Sequence, residues 1–126
     1  MVLIVGGSYQ GKLEYAKKKM NFTDNDVFTC TRDEVQVDFE KPVIDNVEEL
    51  VYACLTHDRD PVKFLAARKS KWIRSVMIID DISSGLVPMD ALDRAAREEV
   101  SRTTAYLVQE AVAVIRMFAG IPKRLK

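Results

Sequence analysis

No excess of charge of either sign marks this chain of 126 residues: lysine plus arginine number 19, and so do aspartate plus glutamate. That balance removes the electrostatic basis for nonspecific nucleic-acid binding, and the basic tail Lys123-Arg124-Leu125-Lys126 is too short a patch to restore it. No apolar run approaches the roughly 20 residues that a membrane span requires, so no span is expected. The opening run Val2-Leu3-Ile4-Val5 is too short for a signal-peptide core, and a cytoplasmic protein is the expectation. Cysteine is scarce. Cys30 and Cys54 lack C-x-x-C spacing and sit among apolar or β-branched residues, which predicts two reduced, buried thiols rather than a disulfide or a metal site. His57 is the single histidine, and nothing in the sequence orients it as a nucleophile; it reads as an exposed helix-end residue.

What is present is apolar bulk and alternating periodicity. Hydrophobic residues make up 48% of the chain, enough for one domain, residues 1–126, around one core. Val2–Val5 reads as a buried strand, residues 11–20 as a helix, and Val27–Thr31 as a second strand after the turn-like Thr23-Asp24-Asn25-Asp26. Val35-Gln36-Val37-Asp38-Phe39 alternates and fits either a short exposed strand or an extended loop. Asp45 or Asn46 caps a helix running to about His57. Pro61 opens another through about Ser70. Val76–Ile79 is a strand that ends at Asp80-Asp81, residues 82–88 are a loop, and Met89 to about Glu110 is the longest helix, with a stripe at 92, 96, 100, 103, 107 and 111. Ala113–Phe118 is the last strand, stopped by Gly120 and Pro122. Strands separated by helices imply an α/β domain with a mostly parallel sheet flanked by helices. Trp72, in the basic segment Arg68–Arg74, is either a packed anchor or a base-stacking platform.

The chemistry concentrates in Gly6-Gly7-Ser8-Tyr9-Gln10-Gly11-Lys12, which follows the first strand and precedes the first helix. Strand, then G-x-x-x-x-G-K, then helix is the context of a phosphate-binding loop, so the fold is expected to be of P-loop type. Inward-pointing amides and the positive helix end bind anionic oxygens, glycine allows the close approach, and Lys12 adds a mobile charge for the terminal phosphates of ATP or GTP. The residue after the lysine is Leu13 where the pattern has Ser or Thr. A hydroxyl there holds Mg²⁺; Leu13 cannot, and Ser8 is a possible substitute on the other side of the lysine. Asp80 and Asp81, ending an apolar strand, are the expected metal-managing acids, and an ordinary strand-end turn is the alternative. In a parallel sheet both motifs fall at the carboxyl ends of the strands, where ligands sit.

From Asp80 onward the chain resembles the bifunctional adenosylcobinamide kinase/adenosylcobinamide-phosphate guanylyltransferase family of cobalamin biosynthesis. That family carries a segment like N-E-V-G-x-G-I-V-P, then a helix with spaced arginines, then a strand ending in G-x-P-x-x-x-K. Asp80-Asp81-Ile82-Ser83-Ser84-Gly85-Leu86-Val87-Pro88 lies on the first, Arg94, Arg97 and Arg102 on the second, and Gly120–Lys126 on the third. The opening strand and glycine loop also fit. The departures are Leu13, Asp80-Asp81 for Asn-Glu, Ser101 for Gly, Thr104-Ala105 for Asn-Gln, and no histidine among residues 32–44 to take a guanylyl group. The resemblance implies a nucleotide-binding protein of the adenosylcobinamide kinase type, a corrinoid acceptor, Mg²⁺ and a homo-oligomer, while the missing histidine leads to the expectation that the guanylyltransferase half is absent. It implies Lys12, Asp80 and Asp81 as catalytic residues, and a role for the arginines in holding phosphate or packing at a subunit contact. Leu13 also leaves open a relative without enzymatic activity that binds a nucleotide or a corrinoid, or serves in assembly.

Overall fold

Val2–Gly6 (β1) and Val76–Asp80 (β4) are the most apolar strands, and they lie side by side at the centre of a six-stranded sheet in the computed structural model, which describes residues 1–82 and 90–126. Between them come Lys12–Lys19 (α1), a single 3-10 turn at Asp24–Asp26, Val27–Thr29 (β2), Val43–Asp45 (β3), Val47–Thr56 (α2), Pro61–Ala66 (α3) and Lys69–Trp72 (α4). After them come Ala91–Glu110 (α5), Ala113–Phe118 (β5) and Ile121–Arg124 (β6). The sheet order is β2-β3-β4-β1-β5-β6, and every neighbouring pair is parallel except β5 and β6. The molecule is thus a small α/β domain with a mostly parallel sheet flanked by helices.

Period-two alternation divides the strand side chains between two cores. Leu3, Ile44, Met77, Ile79 and Val114 face one way and meet Val47, Leu50 and Val51 of α2 and Val100 and Leu107 of α5. Ile4, Val43, Val76, Ile78 and Met117 face the other way and meet Ala16 of α1. Both faces of β1 and β4 are therefore covered, which is why these strands read as continuous apolar runs. Of the α5 stripe, Ala96, Val100, Thr103, Leu107 and Ala111 are buried, whereas Leu92 is exposed. Asp90 caps α5 by accepting from the Asp93 amide at 2.8 Å; Met89 and most of the expected 82–88 loop lie outside the described residues.

One open alternative is decided and three local expectations change. Val35–Phe39 is the extended loop of the two readings: Val35, Val37 and Phe39 pack on the larger core without joining the sheet. The third strand is instead Val43–Asp45, pinned by Val76 N donating to Pro42 O at 2.8 Å. The helix expected over 61–70 breaks at Arg68 into two pieces, and this turns Trp72 inward, where its indole N–H donates to Leu65 O at 2.8 Å and its ring meets Tyr106 edge-on. Trp72 is fully buried, so the packed-anchor reading is the one realised. Finally, Gly120 and Pro122 do not end the sheet. Ala119 (φ 49°) and Gly120 (φ 77°) form a tight turn, and β6 returns antiparallel along β5. Pro122 is tolerated because β6 is an edge strand.

Candidate functional site

The Gly6–Lys12 turn leaves the carboxyl end of β1 and runs into α1. Gly6 has φ 151°, and a Cβ there would stand 2.6 Å from Met117 O on β5. Gly6→Ala meets backbone, which cannot rotate away, so it is expected to lower stability by about 2–3 kcal/mol or more in urea unfolding. Gly11 (φ 92°) is the N-cap of α1 and offers no side-chain cap. The amides of the first helical turn are thereby left for another acceptor, at the positive end of the helix. Gln10 fastens the turn to the β5–β6 hairpin: its carbonyl accepts from Gly120 N at 3.0 Å and its side-chain oxygen from Ala119 N at 2.6 Å. Tyr9 adopts φ 60° and projects fully into solvent at the rim.

Lys12 is 6% exposed. Its ammonium donates to Gly7 O at 2.6 Å and lies 2.6 Å from Asp80 Oδ1. The Ser8 hydroxyl donates to Asp80 Oδ2 at 2.9 Å. The parallel register that places Gly6 opposite Asp80 creates this junction. Lys12, Ser8 and Asp80 are therefore brought together as the strand-end argument requires.

Across from the turn, the end of β3 and the amino end of α2 form the other wall of a cavity of about 460 Å³, lined by Asp45, Glu48 and Glu49 together with Gly11, Lys12 and Asp80; Glu49 is itself paired with Arg32, at 2.7 and 2.9 Å. Asp45 and Glu48 are buried acids that motif reading did not select. Asp45 ends a short apolar run as Asp80 does, which was a usable signal; Glu48 carries none, because only the fold turns it inward. Burial pushes the Asp45 carboxyl above its ordinary value, against a lowering by the Asn46 amide, and the Asp80 charge pushes the same way as burial. Burial pushes Glu48 further, to about 7, opposed by the bond it accepts from the Asp80 amide and reinforced by the Asp80 charge. One wall thus offers helix-end amides and an ammonium to an anion, and the other offers hard oxygens to a cation.

Asp81 faces elsewhere. Its amide donates to Gly6 O at 2.8 Å, and it lines a second cavity of about 310 Å³ with Ser101, Thr104 and Arg116, which Asp80 lines as well. Leu13 lines the first cavity while packing against the smaller core. Arg102 is engaged with Asp60 at 3.0 and 3.1 Å and with Glu99 at 3.0 Å, and neither Arg94 nor Arg97 lines the two cavities. His57 is exposed at the end of α2 with Nδ1 2.9 Å from Ala53 O. Cys30 and Cys54 are unpaired and buried, and burial raises their thiols to about 12 and about 11, far from reactive thiolates. Residues 83–88 of the family-like segment lie outside the described residues. No helix among the described residues is long and apolar enough to cross a membrane.

No protein-family model matches the chain. No curated protein matches it either.

Proposed function

We propose that this protein is a P-loop nucleotide-binding protein of the adenosylcobinamide kinase type, holding the phosphates of ATP or GTP in the cup between β1 and α1. One observation carries the reading: a lysine buried between a glycine turn and a strand-end carboxylate, at the carboxyl edge of a parallel sheet. Lys12 and the first-turn amides of α1 would take the phosphate oxygens. The oxygen donors opposite fit magnesium, which binds through one or two carboxylates plus phosphate. Asp80 and Asp45 would hold it, with the Ser8 hydroxyl already bonded to Asp80. Asp81, the other acid named by the motif, is kept as a candidate on the far side of the strand end. When bound, magnesium supplies neutralisation of charge on the transferring phosphate. The remaining parts of the proposal are the acceptor, a hydroxyl of a corrinoid, and a homo-oligomer, which the exposed Phe118 and Ile121 on the β5–β6 hairpin support. Unpaired, buried cysteines suit a reducing, cytoplasmic compartment.

The second reading, a nucleotide or corrinoid binder without turnover, is favoured by Leu13, whose half-buried side chain packs against the smaller core and carries no hydroxyl. Calorimetric titration with ATP, GTP and GDP, with and without Mg²⁺, separates the two. Magnesium-dependent binding with turnover of adenosylcobinamide supports the kinase; binding indifferent to magnesium supports the second reading; and no binding at all removes both. Leu13→Ser is expected to increase the magnesium dependence of ATP binding while lowering stability by about 1–2 kcal/mol from lost apolar packing. An unchanged magnesium response would mean that the missing hydroxyl at Leu13 does not limit metal binding.

A further inference from the structure

The ladder between β3 and β4 is one rung short, and a side chain completes it. Val76 N donates to Pro42 O on the β3 side, at 2.8 Å, whereas Asp81 N donates to Gly6 O on the β1 side, at 2.8 Å. Successive amides of a strand between two parallel neighbours alternate in this way, so the amide of Asp80 also points toward β3. Continuing the β3 pairing would offer it the carbonyl of Asn46. That carbonyl is taken: Asn46 turns left-handed (φ 57°, ψ 46°) to start α2, and its oxygen accepts from Glu49 N at 2.9 Å. The acceptor that Asp80 N finds is Glu48 Oε1, at 2.9 Å.

We propose that Glu48 is a positioning residue for the phosphate site: its carboxylate replaces the missing strand carbonyl and so fixes the Asp80 side chain against Lys12 and Ser8. The proposal rests on the nucleotide-binding reading of this cavity. Asp80 is the last residue of β4, beyond the paired register of β3, which ends at Ile44 opposite Met77. On that side the Glu48 bond holds the strand end, while Gly6 lies opposite it on the other. Lys12 and Ser8 both depend on where the Asp80 carboxylate stands. A group held only through another acts by geometry, and supporting shells of this kind change metal affinity by about 10–100-fold when removed.

The test compares wild type with Glu48→Leu, which keeps bulk but loses the acceptor, and Glu48→Gln, which keeps an acceptor oxygen. Two quantities are read: hydrogen exchange of the Asp80 amide by NMR, and the factor by which Mg²⁺ strengthens ATP binding. The Asp80 amide is expected to be protected in wild type and in Glu48→Gln, and to exchange at least about tenfold faster in Glu48→Leu. The magnesium factor is expected to fall about tenfold in Glu48→Leu, with magnesium-free binding changed less than about twofold, and to recover in Glu48→Gln. A purely structural residue would lower both kinds of binding together. The proposal is overturned by an unprotected Asp80 amide in wild type, by an unchanged magnesium factor in Glu48→Leu, or by a Glu48→Gln that falls as far as the leucine variant. Should Glu48→Leu fail to fold, the wild-type amide and the Glu48→Gln comparison decide. A wild type that binds no ATP ends the nucleotide reading, and the amide measurements alone then uphold or overturn the anchoring of Asp80.

Discussion

Lys12→Met is expected to weaken ATP binding by about a hundredfold or more, because a charge-assisted bond from an ammonium to phosphate contributes about 1.5–3 kcal/mol and the terminal phosphates accept more than one. The same change is expected to act on the protein without ligand. Lys12 is buried and neutralises Asp80, which is 20% exposed. Methionine preserves the stem but leaves the Asp80 carboxylate facing Asp45 and Glu48 in one cavity without a cation between them. Breaking a fully buried pair costs about 3–5 kcal/mol; with Asp80 partly solvated, a loss of about 2 kcal/mol is expected. Adding Asp80→Asn should return much of that stability and none of the ATP affinity. Urea unfolding and calorimetry on the two single variants and the double variant read both arms. A Lys12→Met protein that binds ATP as wild type does would remove the phosphate cup from the proposed function.

The second large effect is a pH-dependent gain in stability from Glu48→Gln. Below pH 4.5, the ordinary value for this carboxyl, the folded and unfolded chains both hold its proton, and Glu48 contributes nothing to the balance. Between there and about 7 the unfolded chain has released the proton while the folded chain keeps it, so every rise in pH favours unfolding. Above about 7 the buried carboxylate is ionised in both, and the accumulated destabilisation is about 3 kcal/mol. Glutamine is neutral throughout and still accepts from the Asp80 amide. In buffer with a chelator, the variant is therefore expected to match wild type near pH 4 and to exceed it by about 3 kcal/mol at pH 8. Asp45, raised in the same direction, remains in both proteins and cancels from the comparison. Stability curves that run parallel from pH 4 to 8 would show that Glu48 is not desolvated as its burial implies.

The two effects share a cause, which is that this cavity concentrates carboxylates around one lysine. Collecting Asp45, Glu48 and Asp80 opposite a helix end costs stability, whereas Glu49 beside them is paired with Arg32. Magnesium and phosphate would satisfy both walls at once, and the pairing of Lys12 with Asp80 satisfies part of each within the protein itself.

Local chemistry made part of this legible from residue order. Four apolar residues, then glycines and a lysine, then a helix-forming run specify β1, the turn and α1 without outside help, because glycine conformation and helix-end electrostatics act within a few residues. The Val76–Asp80 strand was legible too: the unbroken apolar run Val76–Ile79, ended by two acids, belongs to a strand covered on both faces. Val43–Asp45 was not, since three residues are too few to show a period, and the alternation just before it, at Val35–Phe39, is satisfied by packing on the core instead of pairing. Nor was the break at Arg68, which exists to deliver the Trp72 indole to Leu65, or the return of β6, which needs only a two-residue turn and an unclaimed edge.

By itself, then, the order of residues determined that an α/β domain forms and that Gly6–Lys12 and Asp80 lie at the same edge of its sheet, because strand, turn and helix signals are written in neighbouring side chains. Only the tertiary structure decided which acids meet Lys12. Asp80 lines the Lys12 cavity and Asp81, one residue on, lines the second one, while Asp45 arrives at the end of β3 and Glu48 on α2, both from another part of the chain. Burial and side-chain direction are properties of that packing, and no short stretch of sequence contains them.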